Sequence, residues 1–111
     1  MKHSDRDWLV DATQHLQLLQ QYASRGEAKE QMVLDAIAMR LSAAIDSLSH
    51  VSDELRSRVF AEEQWREIKG TRNRIAHGYG FVDASLLQTF IEREVPEFVA
   101  DVRRLLEQAP E

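Results

Sequence analysis

The sequence predicts an all-α protein, an antiparallel bundle of four to five helices in one domain over residues 1–111. Apolar residues recur at steps of three and four through most of the chain, as on one face of a helix. No segment alternates polar and apolar residues for the length of a strand. Gly26 and Gly78 stand where two of these periodic stretches end, and glycine commonly follows the last turn of a helix.

The first two helices follow from their caps and apolar stripes. Ser4 is a suitable N-cap for a helix over about residues 5–24, with acidic residues in its first turn. A second helix is predicted to begin near residues 27–30 and to end at about Leu48. Its apolar face is so broad that neighbours should bury it on more than one side, and its small residues (Ala36, Ala38, Ala43 and Ala44) permit another helix to approach closely.

The second half of the chain contains three further predicted segments. Ser52 caps a short helix that reaches about Phe60, and a third main helix covers about residues 61–77. The last helix covers about 84–108, and Pro96 within it should kink or divide it.

Composition excludes several classes of protein. The formal charge of −5 excludes a uniformly basic nucleic-acid binder, and the lack of cysteine excludes thiolate metal sites and nucleophiles. Apolar runs are too short for a membrane span, and the N-terminus does not resemble a signal peptide, so we expect a cytoplasmic protein. Between residues 66 and 77, however, the chain contains four lysine or arginine residues and only one acidic residue. A local patch of this kind can bind a phosphate backbone.

The segment with the most chemistry is 71–79, which contains Arg72, Asn73, His77 and Tyr79. On an ideal helix Arg72 and His77 are separated by about 140°, so they can flank a groove. An imidazole transfers protons near neutral pH, and a guanidinium stabilises charge that develops on a phosphate. Together they suffice for RNA cleavage without a metal. The four histidines are scattered, so neither a metal site nor a cofactor is predicted.

A purely structural interpretation of the same residues is available. His77 next to Gly78 is a common helix end, Arg72 can pair with a carboxylate, and Tyr79 can be half-buried. Spacing alone favours this interpretation, because short motifs often occur by chance.

The run Arg72-Asn73-(x)3-His77-Gly78-Tyr79 resembles the Arg-x4-His-x-Tyr signature of the HEPN superfamily, in its HepT-like toxin branch. The similarity continues through flanking segments such as 65–71 and 81–83, and it extends over about residues 30–106. This extended similarity reverses the preference for the structural interpretation.

The resemblance implies a homodimeric helical bundle, with the arginine and histidine of both protomers in a cleft at the seam. It implies a toxin that is a metal-independent endoribonuclease acting on mRNA or tRNA. Its partner would be an MntA-like nucleotidyltransferase antitoxin, which neutralises it by transferring AMP to the motif tyrosine.

The same resemblance assigns roles to individual residues. Arg72 and His77 are the expected catalytic residues, and Tyr79 is the expected site of AMPylation. The expected supporting and phosphate-binding residues are Asn73, Arg74 and Asp46. The competing hypothesis is a non-catalytic dimeric HEPN module, which binds or regulates a nucleotidyltransferase without cutting RNA.

Overall fold

The computed structural model describes residues 3–25, 31–76 and 84–110, and within these ranges all regular secondary structure is helical. The helices are α1 (Asp5–Arg25), α2 (Gln31–Ser49), α3 (Asp53–Arg56), α4 (Glu62–Ala76), α5 (Ala84–Arg93) and α6 (Val95–Gln108). They form the predicted all-α bundle, in which α3 is a single turn and α5 and α6 are two parts of the last predicted helix. None of the described helices is long and apolar enough to cross a membrane.

The predicted N-caps of α1 and α3 are confirmed. The Ser4 hydroxyl accepts from the Asp7 N–H at 3.1 Å, and the Ser4 N–H donates back to the Asp7 carboxylate at 2.9 Å. The hydrogen bond from the Ser4 backbone N–H to the carboxylate, followed by the interaction with the Ser4 side chain, lowers the pKa of Asp7. Ser52 accepts from the Leu55 N–H at 3.4 Å and starts α3.

One helix boundary differs from the prediction, and another decides between two predicted outcomes. α3 ends at Arg56, earlier than the predicted Phe60, because turns occupy the residues that follow. Pro96 divides the last helix instead of kinking it, and the proline lies in the first turn of α6, where its missing N–H costs no hydrogen bond. The predicted start of α2 at 27–30 and the predicted helix end at 77–78 lie outside the described residues.

The central position predicted for α2 is confirmed, since α2 packs against α1, α4 and α5. Its inner face is fully buried at Ile37, Ala44 and Leu48. The core also contains side chains from α1, α3, α4 and α6, and Phe90 and Ile91 of α5 are partly buried against it. Its largest fully buried members are Phe60, Leu9, Leu16, Leu19, Leu34, Ile37, Leu41, Ile45, Leu48, Leu105, Val95 and Val102.

Arg56, the last residue of α3, holds the first part of α4 in place. This arginine is only 8% exposed, and its guanidinium donates to the carbonyls of Leu48 and Val51 at 3.3 and 2.8 Å. It also pairs with Asp53 at 2.5 Å and lies 4.4 Å from the centre of the Trp65 ring. A buried charge is tolerated only when its donors are satisfied, as they are here. The contacts therefore anchor the helix that carries the candidate site.

The outer face of α2 is unusual because it is apolar as well. Met32 and Met39 are 82% and 71% exposed, and Ala36 and Ala43 lie between and beside them at helical spacing. We call these four residues the methionine face. A helix that is apolar on the side facing away from its own core is typical of one that is covered in an assembly.

Candidate active site around Arg72

Arg72 lies on the side of α4 that faces α2. Its guanidinium donates to Asp46 Oδ1 at 2.9 Å through Nη2 and to Asn73 Oδ1 at 3.1 Å through Nη1. The Arg72 and Asp46 side chains are 36% and 53% exposed, so the pair lies at the surface. These two bonds use two of the five N–H donors of a guanidinium, and the other three donate to no residue that the structure describes, so they can bind an anion such as a phosphate.

The Arg72–Asp46 pair orients the guanidinium more than it stabilises the fold. An exposed ion pair contributes roughly 0–1 kcal/mol to folding, because water screens it and two side chains lose freedom. Pairing with a carboxylate is what the structural interpretation of Arg72 predicted. It is also compatible with the supporting role expected for Asp46, since a carboxylate that accepts from one edge of a guanidinium fixes the direction of the others.

Arg74 lies on a different face of α4 from Arg72. Its guanidinium donates to Thr71 Oγ1 at 3.1 Å, and it lines a groove of about 530 Å³ beside α5 and α6. The floor of this groove is apolar, with Ile68 and Phe98 among its residues. The structure therefore brings Arg72, Asn73 and Asp46 together and keeps Arg74 apart from them.

The remaining predicted site residues, His77 and Tyr79, lie outside the described residues. In the sequence they follow directly on α4, which ends at Ala76. Their predicted roles stay predictions. Among the described residues no group of three or more histidine, aspartate or glutamate side chains could hold a metal ion.

A second polar network, between α1 and α2, was not predicted. His15 Nε2 lies 3.3 Å from Asp11 Oδ2, Arg40 lies 3.1 Å from His15 Nδ1, and Ser47 donates to Asp11 at 2.5 Å. Asp11 and His15 are four residues apart on α1, and this spacing is the sequence feature from which part of the network could have been predicted. The serine bonds to the aspartate and not to the histidine, so it is not activated as a nucleophile. The network joins two helices.

Comparison with known protein families decides the identity of the fold. The family model described as "Ribonuclease HepT-like" matches residues 10–105. The chain belongs to the HepT-like ribonuclease family. Searches of curated proteins and of solved structures found no significant match.

Membership in the HepT-like family confirms the resemblance drawn from the 72–79 motif, together with the all-α fold. The matched region runs from α1 to α6 and includes both the Asp46 and the Arg72 positions. The family is described as ribonuclease-like, which supports a ribonuclease-type function in general.

Proposed function

We propose that this HepT-like protein is the toxin of a toxin–antitoxin pair, a metal-independent endoribonuclease that cuts mRNA or tRNA at the seam of a homodimer. The observation that carries the proposal is the guanidinium of Arg72, which Asp46 and Asn73 hold at the surface just before His77 in the sequence. The ribonuclease family match supports it.

The proposed reaction needs one base, one acid and one anion-binding group. His77 takes the proton from a ribose 2′-hydroxyl, and the 2′-oxygen attacks the adjacent phosphorus. The bond to the 5′-oxygen breaks, and that oxygen receives a proton from the second His77 of the dimer. Arg72 stabilises the negative charge that develops on the phosphate. The products are a 2′,3′-cyclic phosphate and a 5′-hydroxyl end.

The methionine face supports the homodimer. Met32, Met39 and Asp46 follow one another at intervals of seven residues, which is close to two turns of helix. The apolar face and the Arg72–Asp46 pair therefore share one side of α2. If a second copy of the chain covers this face, the edge of the contact between the two copies therefore lies at the Arg72–Asp46 pair. Ala36 and Ala43, two of the four small residues on α2, leave room for close helix contact on this face. We infer that this face forms the seam.

Chelation distinguishes the proposed chemistry from a metal-dependent nuclease. The purified dimer should cleave single-stranded RNA in excess EDTA at the rate seen without it, and the new ends should carry cyclic phosphate, because no step requires a metal. Enzymatic end-labelling and mass spectrometry of the fragments measure both. Cleavage that stops in EDTA and returns with Mg²⁺ would contradict the mechanism.

Neutralisation is proposed to act through Tyr79. An MntA-like nucleotidyltransferase would transfer AMP to its hydroxyl, which places a phosphate near Arg72 and fills the groove that RNA requires. After co-expression with an active partner, peptide mass spectrometry should find AMP on Tyr79. The other tyrosine, Tyr22, is the matched control: Tyr22→Phe should still be modified and silenced, and Tyr79→Phe should be neither. AMP on Tyr22, or none at all, would mean a different route.

The alternative function is a non-catalytic dimeric module that binds or regulates a nucleotidyltransferase. The charge of −5 and the pairing of Arg72 with Asp46 favour it. It predicts that the folded protein binds the nucleotidyltransferase and cleaves no RNA, with or without metal. The chelation experiment therefore separates the two functions.

A further inference from the structure

The charge along α4 is divided between its two halves. The first half contains Glu62, Glu63 and Glu67, whereas from residue 68 to 76 the helix contains basic residues and no acid. On a chain of net charge −5, a polyanion is attracted only where cations exceed acids locally. The second half of α4 is such a place, and it includes Arg72.

Arg66, Lys69 and Asn73 form an exposed strip on α4 next to Arg72. They follow one another at steps of three and four, so they share one face, and all three are exposed. The strip is about 10 Å long at a rise of about 1.5 Å per residue. Lys69 and Arg72 are separated by about 60° around the helix. The bond between Arg72 and Asn73 joins the strip to the candidate catalytic guanidinium.

Lys69 has no ion-pair partner among the residues that the structure describes. Lys69 and Arg66 line a groove of about 570 Å³ between α3 and α4, whose acidic residues are Asp53, Glu54 and Glu62. Asp53 is paired with Arg56 at 2.5 Å, Glu54 with Arg58 at 3.5 Å and Glu62 with Arg66 at 3.6 Å. Both side chains of the Arg66–Glu62 pair are exposed, so this pair is weak and an added phosphate can compete for Arg66. The Lys69 ammonium is therefore available to an added anion.

We propose that Lys69, assisted by Arg66, holds backbone phosphates of the RNA on one side of the scissile bond. This proposal rests on the proposed function, because it adds a substrate-positioning surface to the same site. Lys69 contacts no reacting atom in this arrangement. It binds the strand through charge, so it acts on affinity and leaves the chemical step to Arg72 and His77.

Salt dependence of binding tests the strip directly. RNA binding is measured on a His77→Ala background, which prevents cutting. The negative slope of log association constant against log salt concentration for a single-stranded RNA should become shallower by about 0.7 for Lys69→Gln and by about 1.4 for Lys69→Gln with Arg66→Gln. With His77 intact, the double variant should raise KM about tenfold and leave kcat unchanged. Arg103→Gln removes one exposed charge from α6 and is the matched control, expected to change neither quantity.

The strip fails as a substrate-binding surface if the double variant, folded by circular dichroism, keeps the slope and KM of the parent. It also fails if kcat falls while KM stays at the parent value, since that places Lys69 in the chemical step. Absence of cleavage by the unaltered protein would count against the proposed function instead, and the binding slopes would still decide whether the strip holds RNA.

Discussion

Bacteria that express the His77→Ala chain are expected to grow normally, whereas the unaltered chain arrests growth and produces new RNA ends. Loss of a general acid or base slows a reaction by roughly 10²–10⁴-fold. The effect should lie near the upper end, because both protomers of the dimer lose the group. Arg72→Ala should slow cleavage by roughly 10²–10³-fold, since the charge on the phosphate is no longer stabilised. Growth curves and sequencing of RNA ends measure both effects.

Two further variants sharpen this experiment. His50→Ala removes an exposed histidine that stacks on Trp8 of α1 at a ring distance of 4.3 Å, and it should remain toxic. Arg72→Lys keeps the charge but cannot bind a phosphate through two parallel bonds, so its rate should lie between those of arginine and alanine. If His77→Ala and Arg72→Ala both stay toxic, the catalytic assignment is wrong. If no form is toxic or cuts RNA, the binding-module function is favoured.

Met39→Glu is expected to convert the dimer to monomers and to abolish cleavage with it. Met39 is 71% exposed in the single chain, so the substitution should leave the fold intact. In a dimer formed through the methionine face it would bury two unpaired carboxylates. Each costs about 3–5 kcal/mol, so the pair weakens the dimer by more than about four orders of magnitude in Kd. Light scattering coupled to size exclusion measures the mass.

Val10→Glu is the matched control for this prediction. Val10 is a 39% exposed apolar residue on α1 and lies outside the methionine face, so its variant should stay dimeric and active. A dimeric, active Met39→Glu protein would show that the seam lies elsewhere. A monomeric protein that still cuts RNA at the full rate would show that the cleft needs only one copy.

Several features were predicted from the sequence because they depend on local physics. Ser4 and Ser52 are caps whose partners lie three residues away, so the chain itself brings them together. The buried stripe of α2 follows from the geometry of 3.6 residues per turn, which places every third or fourth side chain on one side. The position of Arg72 on α4, and the membership of the HepT-like family, were predicted from the motif and its flanks.

Other features depended on contacts between distant parts of the chain. Asp46 and Arg72 are 26 residues apart, and their 2.9 Å bond exists because α2 and α4 pack side by side. Arg74 is two residues from Arg72, yet it lies on another face of α4 and lines the groove beside α5 and α6.

By itself, the sequence determined where the main helices lie, which face of them is apolar and which family the chain joins. The tertiary structure decided what covers each face. Periodicity marks α2 as apolar almost all round, but it does not say which side the other helices leave open. The packing of α1, α4 and α5 buries one side of α2 and leaves Met32 and Met39 exposed, on the side of α2 where Asp46 pairs with Arg72.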